Sequence, residues 1–207
     1  MVGMHPTERN PKEIIMASNT VRRMARAAAV FGAALTSAFW GFTGPAHAVP
    51  VPDAAYFQVR PLHSDKCLDV AHISFEHGAD VLQADCWNGW NQQWRLEQLP
   101  GTWYFQIKPR HSGKCLDVAY MSKDHGANVI QGDCWGGWNQ AWGFFEDHYG
   151  IPQQVTRPEV GKYYQIRARH SGKCLDVAYA SRAHGADVIQ GDCWNGANQL
   201  WRFVPAP

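Results

Sequence analysis

Three aspartates occur in one four-residue context, Cys-Leu-Asp-Val, at positions Asp69, Asp117 and Asp176. An ionised carboxylate accepts up to about four hydrogen bonds, so it can hold two neighbouring hydroxyl groups of one ligand. In a strand, the leucine and valine would face one side and the aspartate the other. We therefore predict that each carboxylate points outward and accepts hydrogen bonds. The alternative is a structural aspartate that caps a turn.

Each aspartate is followed further along the chain by an Asn-Gln pair and then a tryptophan. The pairs are Asn91-Gln92, Asn139-Gln140 and Asn198-Gln199, and the tryptophans are Trp94, Trp142 and Trp201. An amide both donates and accepts, which suits a hydroxyl that does the same. We expect these amides to suit a hydroxyl-bearing ligand; the alternative is a purely structural role in turn and core. The tryptophans are predicted to fill a core.

These groups belong to a repeat that the chain carries three times. The stretch RHSGKCLDVAY at 110–120 recurs unchanged at 169–179, and a diverged copy lies at 61–72. In each copy a second cysteine follows the first after 19 positions. The cysteines are Cys67 and Cys86, Cys115 and Cys134, and Cys174 and Cys193. An even cysteine count in an exported chain suggests disulfides. The alternative interpretation is that the cysteines bind zinc together with histidines. His63, His111 and His170 each lie four positions before a cysteine.

The repeat shows no helical period and consists of short β-rich runs separated by turn residues. In the second copy the runs are 104–108, 115–118, 128–131 and 140–145. Four strands per copy predict about twelve in total, which favours a closed threefold all-β barrel with a hairpin cap over a propeller. The extra residues at 147–160 are predicted to form a surface loop.

The first 48 residues have the features of a secretory signal peptide. Arg22, Arg23 and Arg26 precede a small and apolar run at 27–42, and Ala46-His47-Ala48 fits the cleavage pattern. The run is too short to cross a membrane. A twin-arginine signal is the alternative, although Met24-Ala25 matches it poorly. We predict cleavage after Ala48, secretion, and a working domain at 49–207.

The charge of residues 49–207 excludes a general electrostatic attraction to nucleic acid or to anionic membranes. That span holds 14 Lys and Arg against 16 Asp and Glu, a net charge of −2 with neutral histidine. No nucleic acid partner and no membrane insertion are expected. We expect a monomer, although the sequence does not determine the oligomeric state.

The repeated Cys-Leu-Asp-Val, the second cysteine and the Gln-x-Trp ending together resemble the ricin B-chain type of lectin over about residues 56–204. The resemblance implies a β-trefoil fold, with repeats at about 56–99, 104–146 and 163–204. It also implies disulfides Cys67–Cys86, Cys115–Cys134 and Cys174–Cys193, and up to three shallow carbohydrate sites in which the aspartate is the principal sugar ligand. Pairing within each repeat is also the one arrangement that treats three near-identical units alike.

The chain departs from this family at the position two residues before the second cysteine. Many members have an aromatic ring there that stacks on the sugar, whereas this chain has Ala84, Gly132 and Gly191. Two sets could supply a replacement ring: Trp87, Trp135 and Trp194 after the second cysteine, and Tyr120 and Tyr179 with His72 in the first copy. The alternative is that these rings pack over disulfides or between repeats. His77, His125 and His184 are expected in surface turns, where some could line the edge of a site.

We therefore predict a secreted, non-catalytic protein that binds a polysaccharide or glycoconjugate and needs no cofactor or metal. The first repeat is expected to have the most altered site. An enzyme is disfavoured because a catalytic centre usually breaks repeat symmetry, and the sequence contains no GxSxG, HExxH or P-loop motif. The remaining alternative is a β-trefoil that acts as a protein-interaction or inhibitor module without sugar binding.

Overall fold

In the computed structural model of the chain, which describes residues 49–207, thirteen short β-strands carry the fold. The strands are Phe57–Pro61 (β1), Cys67–Val70 (β2), Val81–Ala84 (β3), Trp94–Gln98 (β4), Phe105–Pro109 (β5), Cys115–Val118 (β6), Ala127–Gly132 (β7), Trp142–His148 (β8), Ile151–Val155 (β9), Tyr163–Ala168 (β10), Cys174–Val177 (β11), Ala186–Gly191 (β12) and Leu200–Pro205 (β13). Single 3-10 turns lie at Ala71–Ile73, Trp90–Gln92, Ala119–Met121, Trp138–Gln140 and Ala178–Ala180. The helix-free, strand-rich composition that the sequence predicted is confirmed for the described residues.

Six strands close into a barrel. Strand β1 pairs with β13 and β4, β5 pairs with β4 and β8, and β10 pairs with β8 and β13, all antiparallel. The hairpins β2–β3, β6–β7 and β11–β12 lie outside this ring. They join one another through pairings of β12 with β3 and β7 and through a bridge between Asp80 and Ile130. The predicted β-trefoil is therefore confirmed, and each repeat contributes two barrel strands and one cap hairpin.

Three tryptophans, one from each repeat, fill the same position in the core. Trp94, Trp142 and Trp201 are fully buried. Each indole N–H donates to the backbone oxygen of the leucine in its own Cys-Leu-Asp-Val strand, at 2.8 or 2.9 Å. Burying a large apolar side chain contributes roughly 1.5–3 kcal/mol each, and the polar end of the ring is satisfied as well. The core assignment from sequence is confirmed, and these bonds tie each cap hairpin to the barrel.

All six cysteines form disulfides within their own repeats. The bonds are Cys67–Cys86, Cys115–Cys134 and Cys174–Cys193, as the family resemblance implied. Each closes a loop of about 20 residues, which restricts the unfolded chain by roughly 3 kcal/mol in the loop-entropy description. The zinc hypothesis is wrong for these cysteines. The histidines that precede them donate from Nε2 to backbone oxygens of a neighbouring repeat; His170 Nε2, for example, donates to the Ser122 oxygen at 2.7 Å.

The segment after β8 forms a hairpin, and the prediction of a plain loop there was wrong. Strands β8 and β9 pair in register from Phe144 opposite Val155 to His148 opposite Ile151. Tyr149 and Gly150 form the two-residue turn with φ values of 56° and 84°, the left-handed geometry that suits a tight hairpin. The Gly150 N–H also donates to Asp147 Oδ1 at 2.6 Å.

The predicted signal peptide, residues 1–48, lies outside the described residues and stays a prediction. Within the part of the chain that the structure describes, no helix has the length and apolar character needed to span a membrane.

Candidate functional site

The aspartates of the three Cys-Leu-Asp-Val strands lie at the floors of three cavities. Asp69, Asp117 and Asp176 (the inner aspartates) are only 5%, 4% and 4% exposed, and each lines the cavity of its own repeat. The leucine and valine beside each one belong to the core. The carboxylates therefore face away from the core as expected, but they do not protrude from the surface.

Two amides hold each inner aspartate. In the third repeat, Asn198 Nδ2 donates to Asp176 Oδ1 and Gln199 Nε2 donates to Oδ2, both at 2.6 Å. Equivalent pairs join Asn91 and Gln92 to Asp69 and Asn139 and Gln140 to Asp117. Each carboxylate oxygen thus accepts one of these bonds, which leaves about half of its capacity for a ligand.

The glutamines have no polar atom left for a ligand. Gln199 Nε2 also donates to the Asp192 backbone oxygen at 2.8 Å, and its Oε1 accepts from the Trp194 backbone N–H at 3.0 Å. All three glutamines, Gln92, Gln140 and Gln199, are fully buried. The geometry gives them the bracing role, and a direct contact with a ligand stays a prediction. By contrast, the equivalent asparagines line the cavities, and their Oδ1 atoms have no partner among the described residues.

Burial dominates the electrostatics of the inner aspartates. It raises the pKa of the Asp176 carboxyl above the ordinary value of 3.8, while the bonds from Gln199 and Asn198 oppose the rise. The pKa values of Asp69 and Asp117 are raised for the same reason. At Asp69 the neighbouring Trp87 side chain also opposes the rise in pKa.

One set of candidate aromatic residues stands at the rim of each cavity in an unusual backbone conformation. Tyr120 and Tyr179 are 101% and 102% exposed, line the second and third cavities, and have φ of 57°. His72 takes the same place and the same φ at the first cavity. The residue after each one also has a positive φ. Such left-handed residues cost about 1–3 kcal/mol each and concentrate at functional sites.

The second set of candidate aromatic residues forms a wall of each cavity. Trp87, Trp135 and Trp194 are 53–64% exposed and line the first, second and third cavities. Each ring lies against the glycine two residues later: a Cβ placed at Gly196 would come within 2.2 Å of the Trp194 ring. The Trp-x-Gly spacing is therefore needed to seat the ring.

The three cavities differ in size. Their volumes are 230, 570 and 720 Å³ for the first, second and third repeats. A Cβ at Gly132 or Gly191 would lie 2.6 or 2.5 Å from Oδ2 of the inner aspartate, so no larger residue fits there while the carboxylate keeps its place. Ala84 occupies this position in the first repeat. The close approach of the carboxylate explains why the second and third repeats have glycine, and no aromatic residue, at this position.

Sequence reasoning missed an arginine stack at two repeat boundaries. The Arg110 guanidinium lies 4.4 Å from the Trp90 ring centroid and 5.0 Å from that of Tyr56. Arg169 stacks in the same way on Trp138 and Tyr104. The sequence does contain a signal for this contact, because the arginine and the tryptophan are replaced together. At the third boundary Leu62 takes the place of the arginine and Ala197 that of the tryptophan.

Comparison with known proteins gives a consistent set of relatives. A family model described as a ricin-type beta-trefoil lectin domain-like family matches residues 40–132 and 138–207. ThreeFoil, a designed 3-fold symmetric protein, is 45% identical over 72% of this chain and 97% of its own, with a TM-score of 0.64. The exo-beta-1,3-galactanase 1,3Gal43A of Clostridium thermocellum is 33% identical over 75% of this chain and 31% of the enzyme, with a TM-score of 0.65. The Rhizoctonia solani agglutinin is 18% identical over 76% of this chain and 99% of its own, with a TM-score of 0.62, and shows likeness of fold. The comparison with curated protein sequences gave no match.

Proposed function

Because this chain belongs to the family of ricin-type β-trefoil lectin-like domains, we propose that it is a secreted, non-catalytic lectin with up to three shallow glycan sites. The observation that carries the proposal is the threefold recurrence of an amide-braced carboxylate on a cavity floor beneath exposed aromatic rings. A site of the same type in every repeat suits repeated adhesion to one glycan surface, whereas a catalytic centre usually breaks such symmetry. The three disulfides are compatible with secretion.

The proposed binding mode uses the unused lone pairs of each inner aspartate. At Asp176, Asn198 and Gln199 supply one bond to each oxygen, so about two acceptor positions remain for neighbouring sugar hydroxyls. Charge-assisted bonds of this kind are the stronger ones. Because the carboxylate is already held, the ligand does not have to order it on binding.

An aromatic ring beside the carboxylate would cover the apolar face of the sugar. Tyr179 and Trp194 both line the third cavity and have exposed ring surface. Tyr179 projects from a strained turn that holds its ring clear of the protein. We assign the primary stacking role to the tyrosine position and a wall to the tryptophan, so Tyr120 would act in the second repeat and His72 would be a poorer substitute in the first.

The cavity charges favour neutral sugars. Asp187 joins Asp176 at the third cavity, and Asp80 joins Asp117 at the second. Among the described residues that line these three cavities, none is lysine or arginine. A uronic or sialic acid carboxylate would meet negative charge without a cation to balance it. A neutral pyranose would not.

Weak single sites would act together. A dissociation constant of about 1 mM per site corresponds to roughly 4 kcal/mol. Engagement of two or three sites by one polysaccharide could raise the overall affinity by about 10²–10⁴-fold.

A glycan array on the wild-type protein and a Tyr120→Ala/Tyr179→Ala variant tests the proposal. Both tyrosines are fully exposed, so the variant should fold, and its binding to neutral glycans should fall by at least about tenfold if a stacking contact is lost. Tyr149→Ala is the matched control, because Tyr149 is also fully exposed at a φ of 56° but lies at the tip of the β8–β9 hairpin. Absence of glycan binding by the wild type at millimolar sugar would refute the proposal.

A protein-interaction module is the second candidate function. The β8–β9 hairpin supports it, because Tyr149 and Ile151 expose apolar surface at its tip. In that case Tyr149→Ala, and not the paired tyrosine variant, would be the change that weakens binding to the partner.

A further inference from the structure

Each cavity contains a histidine that comes from a different repeat. His77 of the first repeat lines the second cavity with Asp117, and His125 of the second repeat lines the third cavity with Asp176. His184 of the third repeat closes the circle by lining the first cavity. All three lie in the turn before the third strand of their own repeat. The candidate sites are therefore shared between neighbouring repeats.

The backbone determines which nitrogen of each ring carries the proton. The Asp192 backbone N–H donates to His125 Nδ1 at 3.1 Å. The same bond joins Asp133 to His77 and Asp85 to His184, also at 3.1 Å. Because a backbone N–H can only donate, Nδ1 is the acceptor, and a neutral ring then carries its proton on Nε2.

An ion pair holds the side chain of Asp192, whose backbone N–H donates to the His125 ring. Lys173 pairs with the Asp192 carboxylate, and this contact lowers the pKa of that carboxyl. Asp192 Oδ2 lies 3.6 Å from His125 Nδ1 and would pair with it only in the protonated ring. His125 Nε2, by contrast, makes no hydrogen bond to any other described residue, and the side chain is more than half exposed. Each cavity therefore has a braced acceptor on its floor and is lined by a histidine whose Nε2–H has no partner among the described residues.

We propose that the Nε2–H of the histidine from the preceding repeat donates to a hydroxyl of the same sugar that the inner aspartate holds. This inference rests on the proposed function and adds a specificity-determining residue to it. The ligand is then a neutral sugar with one hydroxyl group that donates to the carboxylate and another that accepts from the imidazole. It follows that no repeat can form its full site without its neighbour.

The third site tests the inference, because Trp194 reports on it. Wild type, His125→Ala and His125→Gln are titrated with D-galactose, D-mannose, D-xylose and N-acetyl-D-glucosamine while the tryptophan indole N–H signals are followed by NMR. His125→Ala should weaken the site reported by Trp194 by about threefold to tenfold, the effect of one hydrogen bond. His125→Gln, which keeps a donor, should recover part of the loss. The sites reported by Trp87 and Trp135 should not change.

His148→Ala is the control, since His148 lies on the β8–β9 hairpin beside Glu146. A second measurement uses the unaltered protein: sugar should shift the His125 Nε2 resonance more than that of Nδ1. Unchanged affinity at Trp194 in a folded His125→Ala variant, or an unmoved Nε2 resonance with sugar bound, overturns the inference and leaves the proposed function standing. Failure of the wild type to bind any of these sugars overturns both.

Discussion

Adding one methyl group at Gly191 should remove most sugar binding from the third repeat while the protein stays folded. The Gly191 backbone is not in the left-handed region, so alanine meets no conformational barrier there. The methyl group does meet the inner aspartate, because an ideal Cβ would lie 2.5 Å from Asp176 Oδ2 and 3.2 Å from its Cγ. Gly191→Ala therefore acts on the carboxylate and not on the strand.

The size of the effect follows from that distance. A Cβ contact shorter than 3.0 Å is essentially never found, so a contact of 2.5 Å forces Oδ2 to move by at least the 0.5 Å difference. In the first repeat, which has Ala84 at this position, Asp69 still accepts from Asn91 at 2.9 Å and from Gln92 at 2.7 Å. We therefore expect the Asp176 carboxylate to keep its two amide bonds and to turn away from the ligand. Losing one charge-assisted hydrogen bond to the sugar costs about 1.5–3 kcal/mol, which is about tenfold to 150-fold in affinity. Stability should change little, because alanine also restricts the unfolded chain by about 0.4–1 kcal/mol.

The assay is a sugar titration followed through the indole N–H signals of Trp135 and Trp194, with the melting temperature measured alongside. The Trp194 signals should require much more sugar in Gly191→Ala, while the Trp135 signals titrate as in the wild type and serve as the internal control. The reverse change, Ala84→Gly with His72→Tyr, should strengthen the first site. Wild-type affinity at Trp194 in a folded Gly191→Ala protein would refute the assignment of Asp176 as the main ligand.

Three further predictions concern stability and pH. Reducing all three disulfides should lower the melting temperature sharply, because each one closes a loop of about 20 residues worth roughly 3 kcal/mol; a superimposable melting curve with all six thiols free would argue against this. Sugar affinity should fall as the pH is lowered, with a midpoint above pH 3.8, because burial raises the pKa of the inner aspartates and they become neutral at a higher pH than a free carboxyl does. At Asp176 the nearby His125 and His63 oppose this rise. A midpoint of the affinity loss at or below pH 3.8, measured by titration calorimetry, would contradict the assignment. Trp138→Ala should remove a cation–π contact with Arg169 worth about 0.5–2 kcal/mol and lower the melting temperature by a few degrees; Trp103→Ala, an exposed tryptophan outside the stack, should have little effect.

The fold could be predicted from sequence because its signals repeat. Three cysteine pairs at one spacing and three Gln-x-Trp endings specify both the strand pattern and the core positions. The β8–β9 hairpin was missed because Tyr149-Gly150 is a weaker turn signal than Asn-Gly, and because the segment occurs once and has no counterpart in the other repeats.

The site was only partly predictable, because its parts meet across repeats. Local spacing identified the inner aspartates and the amides, and strand alternation gave the direction of the carboxylates. The alternation of side chains along a strand could not show that both polar atoms of Gln199 bond to the protein itself. Two of those bonds go to backbone groups of the loop around Cys193, which only the folded chain brings close. The approach of His125 to Asp176 depends on how two repeats pack, which no feature of one repeat reveals.

Two pairs of departures from threefold symmetry each fall at one place in the structure, which supports assigning them to a repeat boundary and to a site. Leu62 and Ala197 replace an arginine and a tryptophan that would face each other across one boundary, and the Ala197 oxygen accepts from the backbone N–H next to Leu62. Ala84 and His72 both line the first cavity. Without the tryptophan, an arginine at the position of Leu62 would gain no cation–π attraction to that ring. Likewise, a tyrosine at the position of His72 would contribute less to sugar binding if the methyl group of Ala84 already limits access to Asp69. Paired loss is therefore the expected pattern, and it predicts two strong sites and one weak site in a titration of the wild-type protein.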